Sequence, residues 1–249
     1  MAVSRTPDRS RGGSVVAAGI KTLVFDVLGT VVDENGSITA EIATAFADVG
    51  MDPAGALGLC EAWSRQLTVL IDRVVAGEEP WRSNDDLRRA ALHDSMQALE
   101  VDGLSAATLE DLALAGHRPR PWPDSPAALR HLAGSFRVVA LSNADFAQLV
   151  DMFAGGNLVW HCVLSAELVK SYKPDPVVYR LVLDLLDLDP RNTLMVAAHR
   201  WDLLAAAGQG LRTAYVSRLG EGVAAQGDEF DIYADGLADL AERLAGSGS

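Results

Sequence analysis

An apolar run, Thr22-Leu23-Val24-Phe25, ends abruptly in Asp26, and Gly29 and Thr30 follow at once. A strand of this kind holds a carboxylate rigidly at its carboxyl end, where open α/β sheets build their sites. A carboxylate so placed can act as a nucleophile and form a covalent ester or acyl phosphate. Gly29 permits a tight turn, and the Thr30 hydroxyl can orient Asp26 or bond its backbone. A second apolar run closes in Ser142-Asn143. Its hydroxyl and amide donors suit an anionic group, although a Ser-Asn pair also forms ordinary turns. In Lys173-Pro174-Asp175-Pro176, two prolines restrict the backbone and start a helix, so the lysine is presented rigidly. Finally, His199 follows the run 194–198 and stands three residues before Asp202. Such a histidine can take a proton from water or simply pack at a strand end.

These residues need a common scaffold. Short runs rich in valine or leucine at 22–27, 137–142, 162–165, 194–198 and 213–216, with a further one at 230–233, alternate with helical patterns. That alternation predicts a parallel sheet. More than a hundred residues separate Val27 from Arg137, far too many for a simple crossover. The insert is helical by period around Ile42 and Phe46, over 57–70 and over 87–99, with a break at Gly77-Glu78-Glu79-Pro80. His117-Arg118-Pro119-Arg120-Pro121-Trp122-Pro123 reads as a rigid return, after which Asp124 or Ser125 caps a helix carrying Leu129 and Leu132. A helical cap over the nucleophile strand would exclude water and complete a pocket.

The 249 residues, about half apolar, suffice for one large core or two modest ones. A net charge of −13 provides no basic face for nucleic acid, while a small anionic substrate can still enter a locally positive pocket. Cys60 and Cys162 are too few and too distant for a disulfide framework and read as core thiols. No apolar run reaches membrane-spanning length, so no membrane partner is expected. Residues 1–18 read as a disordered tail, the closing Gly-Ser-Gly-Ser as a loose end, and the chain as cytoplasmic.

Taken in order, the four clusters resemble the four motifs of the haloacid dehalogenase superfamily. The resemblance covers most of the core. It implies an α/β fold: a doubly wound, Rossmann-like parallel sheet over 19–36 and 119–245, with a helical cap inserted at 37–118. It implies Asp26 as nucleophile and Lys173 as the cation that keeps it ionised. The superfamily's phosphatases read Asp-x-Asp-Gly-Thr, and their second aspartate protonates the leaving oxygen. Here that position is Leu28, and a halide leaves without a proton. Where those phosphatases place metal-binding aspartates, this chain has Ala198-His199 and keeps only Asp202. Neither a metal nor an organic cofactor is therefore expected. Asp202 would hydrogen-bond Lys173 or position a water, whose proton His199 could take.

Leu28, the Lys-Pro-Asp-Pro run and Trp201-Asp202 are similar to type II, or 2-haloacid, dehalogenases. The His199-x-x-Asp202 form, Trp122-Pro123-Asp124-Ser125 and the run 80–87 resemble a bacterial subgroup, some members of which defluorinate fluoroacetate. The implied reaction is hydrolytic dehalogenation of short 2-haloalkanoic acids through an Asp26 ester. Ser142 and Asn143 would hold the substrate carboxylate or receive the halide, with Tyr179 and Leu28 lining the site. In such enzymes a Trp-Arg pair on a cap helix supplies an arginine for halide and carboxylate. Here Trp63 is followed by Ser64, then Arg65, and a one-residue shift turns a helical side chain by about 100 degrees. Arg65, Arg82 and Arg200 are the candidate replacements, Arg200 equally a surface residue. Two alternatives stand beside this reading: a phosphatase-like hydrolase on the same fold, or a catalytically altered relative that binds a small acid. Dimers are usual among such enzymes, and a Trp-rich cap surface could pair copies into a homodimer.

Overall fold

The computed structural model describes residues 19–222, 224–225 and 227–246. The tail expected over 1–18 and most of the closing Gly-Ser stretch lie outside them. Strand β1 (Thr22–Phe25) sits inside a six-stranded sheet with β4 (Arg137–Ser142), β5 (Cys162–Ser165), β6 (Thr193–Ala197), β7 (Arg212–Val216) and β8 (Ile232–Ala234). The order is β5-β4-β1-β6-β7-β8 and every pairing is parallel. The chain thus builds outward from β1 in both directions, and the carboxyl ends of β1, β4 and β6 meet at the switch point.

Alternation along the strands assigns each side chain to one of two helical layers. Leu23, Phe25, Val138, Ala140, Leu194 and Val196 pack with α5 (Ser125–Ala133), α6 (Phe146–Gly156) and α9 (Leu237–Ala245). Val24, Val139, Leu141, Met195 and Ala197 pack with α7 (Pro176–Leu185) and α8 (Arg200–Ala207). Strand β1 ends two residues before the expected boundary, because Asp26 and Val27 already turn into the loop. The last strand starts two residues later than the expected 230–233, with Phe230 packed among aromatic rings instead. Asp124 occupies the first position before α5 yet caps a different helix. Its carboxylate accepts the Leu237 N–H of α9 at 2.7 Å and the Arg218 guanidinium at 2.8 Å.

Between β1 and β4 stand α1 (Glu34–Asp48), α2 (Ala56–Val75), α3 (Asn84–Ala98) and α4 (Ala106–Ala113). They enclose a separate apolar core around Ile42, Leu59, Trp63, Leu87 and Leu92. The break between α2 and α3 falls at Gly77, whose φ of +72° suits a residue without a Cβ. Entry to and exit from this insert are joined by a short antiparallel ribbon, β2 (Val32–Asp33) with β3 (Arg120–Pro121). The cap tryptophans do not form an outer surface: Trp63 is buried in the cap core, and Trp81 is half-buried with the Lys170 ammonium over its ring at 3.8 Å. Cys60 is buried and Cys162 half-buried, and neither is disulfide-bonded.

Candidate active site

Asp26 leaves β1 where the sheet switches direction, and its side chain is almost fully buried, the residue being 4 % exposed. One carboxylate oxygen accepts the Lys173 ammonium at 2.7 Å. The other accepts the Thr30 hydroxyl at 2.7 Å and faces His199 Nδ1 at 2.8 Å. Thr30 is itself fixed, since its hydroxyl accepts the Ala198 N–H at 2.9 Å across to the end of β6. Burial alone would push the Asp26 carboxyl up. The charges and hydrogen bonds of Lys173 and His199 outweigh it and hold this group well below the usual carboxylate range.

Lys173 is 2 % exposed and donates a second hydrogen bond, to Asp202 at 2.6 Å. Burial opposes its charge, but the two flanking carboxylates raise its pKa above that of a free lysine. Asn143 positions it: the amide oxygen accepts Lys173 N–H at 2.7 Å and the amide nitrogen donates to Lys173 C=O at 3.1 Å. Asp202 is wholly buried, its second oxygen taken by the Tyr179 hydroxyl at 2.5 Å. Burial and the Asp26 charge push the Asp202 carboxyl up, against the pull of Lys173. The two acids are therefore driven apart, Asp26 toward the ionised form and Asp202 away from it.

A cavity of about 270 Å³ opens over Asp26, between sheet and cap. Asp26, Leu28, Asn143, Lys173 and His199 line its floor with Trp201 and Glu221. Asn35, Trp63, Ser64, Asn84 and Arg88 line the cap side. Lys173 Nζ stands between the two buried aspartates, while Leu28 and His199 contribute no side-chain oxygen. This donor set does not fit a magnesium ion, which demands an octahedron of oxygens.

Several expected site residues lie away from the lining of this cavity. Ser142 is fully buried and does not line the cavity; its hydroxyl oxygen accepts the Ala144 N–H at 3.1 Å, which closes the turn after β4. Tyr179 is likewise sealed beneath the floor, where its hydroxyl donates to Asp202. Asp202 does not reach the cavity either, so of its two expected roles the structure holds the bond to Lys173. Arg65 points to solvent, 70 % exposed, opposite Glu61 at 3.7 Å. Its position one residue after Ser64 turns it off the cavity face of α2. Arg82 pairs with Glu79 and Arg200 with Asp228, both away from the cavity.

The cap-side cation is instead Arg88 on α3, 3 % exposed. It donates to Asn84 one helical turn earlier at 2.7 Å and pairs with Glu34. Its backbone carbonyl accepts the Trp63 indole N–H at 2.8 Å. Arg88 carries no local mark in the sequence; only the pairing of α2 against α3 brings it over Asp26. Glu221, from the loop after β7, accepts His199 Nε2 at 3.1 Å and the Asn35 amide at 3.2 Å. It too escaped sequence reasoning, since nothing around it marks a site.

A buried, ionised carboxylate beside a lysine, opening into a small cavity with an arginine opposite, can attack a compact anionic substrate. A carboxylate so placed at the switch point of a doubly wound sheet can serve as a nucleophile. Comparison with known proteins places the chain among hydrolases of this fold. The haloacid dehalogenase-like hydrolase model matches residues 20–210, and the chain belongs to that family. It is similar to (S)-2-haloacid dehalogenase 1 of Pseudomonas sp. (strain CBS-3), with 31 % identity over 80 % of this chain and 86 % of that one. Among solved structures, the L-2-haloacid dehalogenase PA0810 superposes with a TM-score of 0.84 and 34 % identity, covering 92 % of this chain and all of the other. The defluorinating L-2-haloacid dehalogenase Rha0230 gives 0.83 and 29 %, over 96 % of this chain and all of that one.

Proposed function

We propose that this protein hydrolyses short 2-haloalkanoic acids, haloacetates and fluoroacetate among them, without a metal. The observation that carries the proposal is the buried Asp26–Lys173 pair, 2.7 Å apart, on the floor of a cavity of about 270 Å³. Asp26 attacks C2 from behind the carbon–halogen bond, which gives an Asp26 ester and a free halide. Lys173 keeps the nucleophile ionised, Thr30 orients it, and Asn143 sets the lysine. In-line displacement sends the halide away from Asp26, toward the cap lining where Arg88 supplies charged donors. Leu28 furnishes an apolar wall. Water then attacks the ester carbonyl, with His199 as its base.

Only the first step touches C2, so a chiral substrate should emerge inverted. The test is halide release from fluoroacetate, chloroacetate and both enantiomers of 2-chloropropionate, with chelator present, for wild type and Asp26→Asn. Release by wild type alone, with inverted lactate, supports the scheme; retention of configuration, or equal release by the variant, overturns it.

A further inference from the structure

His199 does not stand alone at the mouth of Asp26. Its ring lies between two carboxylates, Nδ1 toward Asp26 at 2.8 Å and Nε2 toward Glu221 at 3.1 Å. Trp201 stacks on its face, ring centroids 5.6 Å apart, and the Asn35 amide on α1 anchors the other Glu221 oxygen at 3.2 Å. Beneath the pair lies Gly29, with φ +74°. A Cβ at Gly29 would come within 2.7 Å of the Glu221 carboxyl carbon and 2.9 Å of His199 Cε1. The turn after β1 is thus bare where the imidazole and carboxylate rest on it. Glu221 is only 7 % exposed at its side chain, and it sits there with no lysine or arginine bonded to it among the described residues.

We propose that Glu221 is the positioning residue for His199 in the second half of the reaction, holding the Nε2 proton so that Nδ1, facing Asp26, becomes the base for the hydrolytic water. The inference rests on the dehalogenase reading above. In the free enzyme the two flanking carboxylates favour the protonated ring, which has no lone pair to offer a water. Burial disfavours its charge, but hydrogen bonds to Asp26 and Glu221 and their charges push it up to about 10. Ester formation changes this. The Asp26 oxygen bonds C2, the carbon–halogen electron pair leaves with the halide, and the Asp26 charge disappears. Of the two carboxylates facing His199, Glu221 alone remains charged; Lys173 lies beyond Asp26, on its other oxygen.

Nδ1 can then release its proton to solvent, the one proton that hydrolysis must yield with the halide. Glu221 keeps Nε2–H, and the vacated lone pair is on the nitrogen that faces the ester. Water attacks the ester carbonyl and gives one proton to Nδ1. The tetrahedral adduct collapses, its acyl–oxygen bond to the substrate breaks, and the departing hydroxy acid takes the proton left on the attacking oxygen. Asp26 returns as a carboxylate beside an imidazolium. Glu221 touches neither substrate nor water in this scheme and acts only through the ring.

The experiment is rapid-quench chloride release from (S)-2-chloropropionate by wild type, Glu221→Gln and His199→Gln, with the protein mass followed in parallel. For Glu221→Gln we expect a first-turnover chloride burst at the wild-type rate, then turnover slowed about tenfold to a hundredfold. The Asp26 ester should accumulate in both variants. The acid limb of kcat in Glu221→Gln should move to lower pH, since the ring loses its remaining carboxylate; a purely structural role would leave that limb in place. Unchanged turnover, or slowing of the burst itself without ester accumulation, would overturn the role assigned to Glu221. Silence from the wild type on every haloacid would instead remove the dehalogenase reading beneath it.

Discussion

Tyr179 and Asp202 share a 2.5 Å O–H···O hydrogen bond in a fully buried setting, and Lys173 holds the other oxygen of the same carboxylate at 2.6 Å. Burial and the nearby carboxylates keep the phenol's pKa far above its ordinary value, so it remains a donor. Tyr179 is thus a support for the lysine. Tyr179→Phe should cost about 1–3 kcal/mol of stability, the range for leaving a buried acceptor without its partner. It should leave KM for a small haloacid near wild type, because the ring does not border the cavity. Urea midpoints beside steady-state halide release check both halves.

The histidine gives the fold a pH dependence with a definite sign. Its pKa in the folded protein, about 10, lies above the ordinary histidine value of 6.5. Its contribution is therefore fully present below about pH 6.5 and is lost as pH rises through about 10. Asp26 is depressed, so its contribution is present at neutral pH and lost only below about pH 4. Stability should fall across the alkaline window by a few kcal/mol, since each tenfold change in proton affinity is worth about 1.4 kcal/mol. His199→Gln should flatten that slope, as urea midpoints between about pH 6 and 10.5 would reveal.

Two arginines separate the expected cap contact from the observed one. Arg65→Ala should change neither halide release nor stability by more than about 0.5 kcal/mol, as for an exposed surface group. Arg88→Lys keeps the charge but loses the planar fork that meets Asn84 and Glu34. It should raise KM for haloacids by roughly tenfold or more, with the Arg65 variant as control. Equal effects from the two substitutions would contradict the assignment.

Asp145 docks the cap from the core side. Its carboxylate accepts the N–H groups of Asn84 and Asp85 at 2.8 and 2.9 Å, at the amino terminus of α3. His117 bridges Asp85 and Asp151 nearby, and the Tyr172 hydroxyl donates to the Arg82 carbonyl at 2.6 Å. Asp145→Ala should cost about 1–2 kcal/mol, as for a lost helix cap. It should also speed hydrogen exchange over 84–98 relative to the sheet, measured by mass spectrometry of peptides from each.

Residues that end strands were legible in the sequence; those brought in by helix pairing were not. Asp26 and His199 each stop an apolar run, and Lys173 is set between a run and two prolines, so local pattern points to them. The strands themselves follow from the same runs. Ser142 shares that context yet turns inward, because a serine after a strand satisfies its own turn as readily as a ligand. Arg88 and Glu221 reach the cavity over Asp26 only through tertiary packing, one across the α2–α3 contact and one from a loop in which Gly220 and Gly222, on either side of it, have positive φ. A one-residue offset on α2 sufficed to turn Arg65 outward while Ser64 took the inner face.

The β2–β3 ribbon pairs Val32 with Pro121 and Asp33 with Arg120, so the chain enters and leaves the cap at neighbouring points. For the sheet, everything between those points is equivalent to one long loop closed by a clasp of fixed width. Such an insertion could be exchanged for another whose ends are equally close without altering any strand register beneath. The nucleophile's floor and the substrate's ceiling are in this sense separate inheritances: chemistry can persist in one while choice of substrate drifts in the other.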